Sequence, residues 1–461
     1  MGLLYLAAVL RARLGAEVRL LDLQVKRAPL NQIIETAKDF RPDAIGITAL
    51  SCQSSAFASL SQGLRKELPE VIQVAGGPFA TAEPSKALTE GAADFSVTGE
   101  GEVVLTNLLK ALGEKKDPAE IPGIGFKTNG EISLNDPEKF IEDLDALPFP
   151  AWDLVDFKSF SRLPRIGSII KNRRYFSIFS SRGCPYQCTY CHQIFGKRFR
   201  FRSPENVIEE IDRLYEDHGV REIQFVDDIF NLKKDRVLSL CKGIVARDYN
   251  LALSFPNGLR GDILDEEVIG WLKKAGAYKI SVAVESTSTK IQKEIKKNLD
   301  LKRIKHIIEL LEKQRILVHG FFMMGFPGET LVQMRQTAEF ARKSRLHSAS
   351  FFFVQPLPGS ELNEILLSER SLPPSRGERD SYFKPPENGF FINGAKPREV
   401  RKLLRRAQVR FYINPGRIGR IFRDIPNRGQ LPYLTLLFLL RAFHPGWEKN
   451  LLAWKRKRAF L

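Results

Sequence analysis

The sequence predicts an α/β chain with two sheet-forming segments and a basic helical extension. Short β-branched runs alternate with helical patterns over residues 1–115 and again from Tyr175 to Pro356, and positive charge is concentrated after residue 396. At 461 residues and 43% hydrophobic content, the chain has material for more than one globular domain. The expected divisions are a front α/β domain at 1–119, a linker at 120–170, a partial (β/α)6 barrel at 171–385 and a basic helical extension at 386–461.

In the front segment the runs Val18 to Leu23, Ala44 to Leu50, Val71 to Gly77 and Phe95 to Glu100 read as strands. Strands separated by helices imply a parallel sheet, and Gly76-Gly77-Pro78 puts flexible backbone at a strand's carboxyl end, where open α/β sheets bind ligands. Residues 120–170 are proline-richer, as in Leu147-Pro148-Phe149-Pro150-Ala151-Trp152, and lack a long periodic segment. They are expected to pack on the surface between domains. Six further strands are expected at Tyr175 to Ser181, Glu222 to Asp228, Leu251 to Arg260, Tyr278 to Ser286, Ile316 to Gly325 and Ser348 to Pro356. In parallel barrels the chemistry sits at the carboxyl ends of the strands.

No run of about 18 to 20 apolar residues occurs. The opening Met1-Gly2-Leu3-Leu4-Tyr5 lacks the basic lead and small-residue cleavage site of a secretory signal, so a cytoplasmic setting is expected. The five cysteines are not spaced as a disulfide framework; Cys52 and Cys241 are expected to be small core residues. Of the formal charge of +17, most sits at Lys396 to Leu461, with 17 Lys or Arg against three acids. A basic tail suggests an accessory surface for an anionic partner rather than a nucleic-acid-binding protein. The apolar run Leu431 to Leu440, flanked by basic residues, is expected to make a peripheral contact with an anionic membrane; a core helix docked on the barrel is the alternative.

Cys184, Cys188 and Cys191 lie in one loop directly after the first barrel strand. Three thiolates so placed can hold three corners of a 4Fe-4S cubane and leave the fourth iron open to a chelating molecule. Structural zinc is the alternative, but it normally takes four protein ligands in paired spacing. His192, adjoining Cys191, is poorly placed to complete a tetrahedron.

The triad in its barrel context closely resembles the radical S-adenosylmethionine (SAM) superfamily. The matching segments are Ser181-Arg182-Gly183-Cys184-Pro185 through Tyr190-Cys191, Phe225-Val226-Asp227-Asp228, Val284-Glu285-Ser286, Gly325-Phe326-Pro327-Gly328-Glu329-Thr330 and Pro356-Leu357-Pro358-Gly359-Ser360. The resemblance implies reductive cleavage of SAM to methionine and a 5′-deoxyadenosyl radical, with Cys184, Cys188 and Cys191 as cluster ligands. It also implies that Tyr190 lies against the adenine, Glu285 faces the ribose, and Gly325, Phe326 and Pro327 line the adenine pocket. Asp227 and Asp228 either orient substrate or the methionine amine, or cap the following helix.

Residues 1–115 resemble the Rossmann-like cobalamin-binding domain often fused ahead of such a barrel, on Gly2-Leu3-Leu4-Tyr5-Leu6-Ala7-Ala8, Thr48-Ala49-Leu50, Gly76-Gly77-Pro78 and Val97-Thr98-Gly99-Glu100-Gly101-Glu102. Thr48, Leu50, Gly76 and Gly77 then surround the corrinoid's nucleotide tail. The Asp-x-His-x-x-Gly signature is absent, and the family's strand before the Gly2-Leu3-Leu4-Tyr5 helix is missing, so a front sheet without its first strand is expected. A domain retained only for structure is the alternative to cobalamin binding.

The combined resemblance implies a cobalamin-dependent methyltransferase acting on an unactivated carbon of an unidentified organic substrate, with a low-potential flavodoxin or ferredoxin as electron donor. An oxidative cyclase like the anaerobic magnesium-protoporphyrin ester enzymes is the rival. A non-catalytic cobalamin or iron sensor is a remote third reading. Methylthiotransferases share the barrel, but their front domain carries three further cysteines, and here Cys52 stands alone.

Overall fold

The computed structural model describes residues 1–23, 28–162, 169–369 and 396–436. Its front sheet runs β1 (Ala44–Thr48), β2 (Ile72–Gly76), β3 (Phe95–Val97), β4 (Ile124–Thr128), β5 (Glu131–Leu134). The first three strands are parallel and the last two antiparallel. Side chains alternate across the sheet. Ile47 and Ala75 pack against Phe57 and Leu64 of the helix Ser54–Glu67, whereas Val74, Val97 and Ile124 meet Val104 and Leu108 of the helix Gly101–Gly113.

Two sequence expectations change here. Val18 to Leu23 is irregular, because a strand's backbone groups need a neighbouring strand and, among the described residues, none pairs with it. Residues 124–134, expected as linker, form a hairpin that extends the front sheet. Its turn is Asn129-Gly130, both with positive φ (53° and 86°), the combination a tight two-residue hairpin requires. The rest of the strap packs: Trp152 is buried against Phe176, with ring centroids 4.7 Å apart.

The second sheet begins with β6 (Tyr175–Ile178). A short antiparallel ladder of β7 (Ser181–Arg182) and β8 (Arg200–Phe201) follows, and the sheet continues with β9 (Glu222–Phe225), β10 (Ala252–Leu259), β11 (Ala277–Glu285), β12 (Leu317–Met324) and β13 (Ser348–Phe353). These six strands lie in the order β6-β9-β10-β11-β12-β13, all parallel, with helices between successive strands. This is the partial (β/α)6 barrel. Along β12, Val318, Phe322 and Met324 are buried in the core, while His319, Phe321 and Met323 are only partly covered. The helix Gly2–Leu14 belongs to both halves: Leu4 joins the barrel core, and Tyr5 and Val9 pack with Leu144 and Leu147.

After residue 396 the chain docks on the barrel. Val400, Leu403, Leu404, Ala407 and Phe411 of the helix Pro397–Tyr412 enter the main core. Arg417 is fully buried and donates to the carbonyls of Ala341 and Arg342 at the end of the helix Leu331–Lys343, of Ser344 and Leu346 just beyond it, and of Phe411 in the docked helix. Ile425, Leu431 and Leu434 pack against Ala252, Tyr278 and Leu317 at the amino ends of their strands. The run Leu431 to Leu440 is therefore docked in its described part, and Leu437 to Leu461 lie outside the described residues. No helix among the described residues is long and apolar enough to cross a membrane. Cys241 is buried, whereas Cys52, expected in the core, is exposed on the turn Ser51–Gln53 that follows β1.

Candidate functional site

The ladder β7–β8 closes the base of the cysteine loop. Arg182 lies opposite Arg200, and residues 183–199 span the gap between them. Gly183 begins the loop with φ +80°; a Cβ there would lie 2.2 Å from the carbonyl oxygen of Arg198, so only glycine fits. Farther along, Thr189 donates to Ile295 O (3.2 Å) and accepts from Leu362 N (2.8 Å), which fixes the loop to the carboxyl end of the barrel. The three thiols are free and partly buried. Burial pushes Cys191 up to about 12, with Cys188 and Cys184 adding to the effect. Cys184 is also raised by burial, against a backbone hydrogen bond at Tyr186. The thiols therefore share one electrostatic environment, and ligation must displace their protons. Among the described residues no three His, Cys, Asp or Glu side chains stand close enough to chelate a single ion.

The two aspartates at the end of β9 serve the loop and not a helix start. Asp227 is buried and accepts from Ser180 N (2.7 Å), Ser180 Oγ (3.1 Å), Ser181 Oγ (2.9 Å) and Ser181 N. Asp227 Oδ2 accepts from Ser180 Oγ as well (3.1 Å), and the next helix starts only at Lys234 with Lys233 at its cap position, so of the two expected roles helix capping is displaced by that of a staple. Asp228 Oδ2 accepts from Gly183 N at 3.2 Å, and its other oxygen lies 3.6 Å from His192 Nε2.

Glu285 ends β11 with φ +63°, an uncommon conformation for a residue with a side chain, at a register shift against β12. Its carboxylate is buried. Oε1 accepts from Tyr190 Oη at 3.3 Å and lies 3.6 Å from Lys297 Nζ, which also donates to Tyr190 Oη at 3.2 Å. Burial raises its pKa, partly opposed by Lys297. Oε2 is buried without a hydrogen-bond partner. A buried acceptor left open is costly unless a ligand donor reaches it, and paired ribose hydroxyls are such donors. Tyr190 meets Phe326 edge to face at 5.8 Å. Gly325 (φ +89°) takes the loop closely past Phe353, and Pro327 follows, partly exposed. Tyr190, Glu285 and Phe326 are thus brought together one residue from Cys191, with Gly325 and Pro327 on either side of Phe326.

Sequence reasoning missed two groups here. Lys297 sits in a lysine-rich stretch that reads as a solvated face, and only the fold brings it to Glu285. Glu329 was read only as part of a motif; it is fully buried, with Oε2 accepting from Gly325 N (2.7 Å) and Phe326 N (3.2 Å) and Oε1 from Ser286 Oγ (3.3 Å).

In the front sheet, Thr48 pairs with Gly76 at the carboxyl edge. Gly77 has φ +78°, and a Cβ on it would meet Thr48 Oγ1 at 2.1 Å, while a Cβ on Gly76 would meet nothing within 4 Å. Leu50 is exposed on the same edge. These four residues form an open cradle, and the sequence contains no histidine before His192. The edge faces the barrel's carboxyl end: Ala82 lies 3.5 Å from the position of a Cβ built on Gly359.

Residues 178–341 match the family model of the radical SAM superfamily, and residues 1–109 match that of the B12 binding domain. The chain is 28% identical over 418 residues to an uncharacterized methyltransferase of Pyrococcus horikoshii, covering 90% of this chain and 88% of that protein. It is 26% identical to the anaerobic magnesium-protoporphyrin IX monomethyl ester cyclase of Rubrivivax gelatinosus, over 78% of this chain and 65% of the cyclase. The fold is also that of the radical S-adenosylmethionine methyltransferase TsrM of Kitasatospora setae, solved with cobalamin and a [4Fe-4S] cluster bound. There the TM-score is 0.70 and the identity 18%, over 100% of this chain and 96% of that one, a likeness of fold alone.

Proposed function

We propose that this enzyme, with residues 178–341 matching the radical SAM superfamily and residues 1–109 matching the B12 binding domain, transfers a methyl group through cobalamin to an unactivated carbon of an organic substrate. The observation that carries the reading is the apposition of two carboxyl edges. One presents three thiols near a buried carboxylate with an unsatisfied oxygen, and the other presents an open glycine-lined cradle. When bound, the cluster supplies the electron that cleaves SAM and the corrinoid supplies the methyl carrier. Cys184, Cys188 and Cys191 hold the cluster. Glu285 takes the ribose hydroxyls, Tyr190 and Phe326 flank the adenine, and Gly325 and Pro327 let the base approach the backbone. Thr48, Leu50, Gly76 and Gly77 receive the nucleotide tail.

Ring formation is the rival reading, favoured by the cyclase relative. Coverage counts against it: about a third of the cyclase has no counterpart in this chain, whereas the Pyrococcus horikoshii methyltransferase is covered almost throughout. Anaerobically reconstituted protein given SAM with a deuterated methyl group is expected to form 5′-deoxyadenosine under reduction and to place the label on its corrinoid. Cleavage of SAM without label on a bound corrinoid would refute methyl transfer and favour the cyclase. Absence of any 5′-deoxyadenosine would favour the sensor reading.

Such an enzyme needs a reductant, which we assign to a low-potential flavodoxin or ferredoxin in a reducing cytoplasm, where open thiols persist. We also assign the tail a peripheral contact with anionic membrane. Ile418 and Phe422, one helical turn apart on Pro415–Asp424, are exposed, and Arg428, six residues beyond Phe422, is exposed as well. Replacing both Ile418 and Phe422 by Ser should reduce flotation with anionic vesicles at low salt; equal flotation of variant and wild type would remove this assignment.

A further inference from the structure

Glu100 and Glu102, at the start of the helix Gly101–Gly113, reach from the front domain to the base of the cysteine loop. Arg182 donates through Nη1 to Glu100 Oε1 (2.9 Å) and through Nη2 to Glu102 Oε1 (2.6 Å). Arg200 Nη1 donates to both oxygens of Glu100 at 2.9 and 2.8 Å, and Ile141 N adds a bond to Glu100 Oε2 at 2.8 Å. All four side chains are buried. Arg182 also stacks over Tyr5 of the first helix (5.2 Å) and over Phe195 (5.5 Å) of the cysteine loop.

The two arginines face each other across the ladder, and two buried like charges in register repel unless anions lie between them. Among the described residues, the carboxylates paired with the two arginines, Glu100 and Glu102, both come from the front domain. Between Arg182 and Arg200 lie all three cysteines. Because Glu100 follows β3 at the same sheet edge as Thr48 and Gly76, the carboxylates that neutralise the loop base also belong to the cradle's frame.

We propose that Glu100 and Glu102 are positioning residues that clamp both ends of the cysteine loop and thereby set the cluster thiols at a fixed place relative to the corrinoid cradle. The inference rests on the cofactor reading above, although its first test does not.

That test is amide hydrogen exchange on apo protein. Glu100→Gln should speed exchange across residues 183–199 about tenfold or more, the scale of losing one charge-assisted hydrogen bond. The helix Leu301–Lys313, with no residue in the clamp, should keep its rate. Glu102→Gln, which leaves Glu100 in place, should give the same localised pattern with smaller amplitude. Unchanged loop exchange in both variants would overturn the clamp, as would a rise spread equally over the barrel, because the network would then be ordinary fold stability. The second test is the distance between the reduced cluster and cob(II)alamin, measured by pulsed electron paramagnetic resonance on loaded protein. It should be narrowly distributed in wild type and broader in Glu102→Gln, and equal widths would overturn the proposal. Wild-type protein that takes up neither cofactor would refute the cofactor reading instead and leave the exchange result to decide the clamp.

Discussion

Replacing Glu329 by Gln tests whether the pocket loop is held by a carboxyl group kept neutral by burial. Its surroundings push Glu329 up to about 7 from an ordinary 4.5, because desolvation outweighs the two backbone N–H donors and Ser286. Holding the ionised form in that site therefore costs about 3 kcal/mol. In the folded state the group stays protonated after its unfolded counterpart has ionised. Between about pH 4.5 and 7 the native state binds more protons, so stability falls as pH rises through this window. Below the window the contribution is fully present. Gln is close to the protonated acid in shape and bonding: its oxygen can accept from Gly325 N and Phe326 N while its amide donates to Ser286 Oγ. Melting curves of apo wild type and Glu329→Gln are expected to be nearly equal at pH 4.5, and the variant should gain on wild type up to pH 8 by an amount on the order of 3 kcal/mol. A constant difference across that range would show that the carboxyl titrates alike in both states and would refute the reasoning.

Substituting Ala for Cys184, Cys188 and Cys191 together should abolish iron incorporation and 5′-deoxyadenosine formation; reductive cleavage by the triple variant would contradict the cluster assignment. Glu285→Ala should keep its iron content but bind SAM about tenfold or more weakly by calorimetry, since it loses the carboxylate for the ribose. Gly183→Ala should lose iron, because its Cβ would collide with Arg198 O, and normal incorporation would show that the loop start yields more than its geometry allows. Cobalamin bound to the front domain should show a base-off spectrum without protein imidazole on cobalt, as no histidine precedes His192; a histidine-ligated signal in electron paramagnetic resonance would contradict this.

What was legible in the sequence follows from the range of each interaction. The barrel strands could be read because their β-branched runs are local, and the cysteine loop because its three ligands lie within eight residues. Asn129-Gly130 is equally local, but the proline content around it points to a linker and masks the hairpin. Val18 to Leu23 failed for the opposite reason: strand propensity is present, but a strand depends on a partner elsewhere in the chain. The roles of Asp227 and Lys297 depend on distant partners, whereas Glu329 bonds the backbone of Gly325 and Phe326 within its own motif and only its burial needs the rest of the fold. Asp227 binds serines 46 and 47 residues away, and Lys297 acts on a tyrosine 107 residues earlier. Cys52 was assigned to the core on residue type alone, whereas its position on the turn after β1 exposes it.

The helix Gly2–Leu14 bears on how this protein can be taken apart. A conventional excision would cut within the proline-rich strap and express the barrel alone. Leu4 contributes to the barrel's own core and accepts a hydrogen bond from Ala151 N at 3.1 Å, while Tyr5 Oη receives Arg202 from the chain that leads into the barrel's first helix. A barrel cut free at residue 170 would therefore present an apolar socket where Leu4 had been, and a front half alone would carry the matching plug. Split at that point, the two fragments should behave as complementary pieces that recombine when mixed, and not as two portable modules.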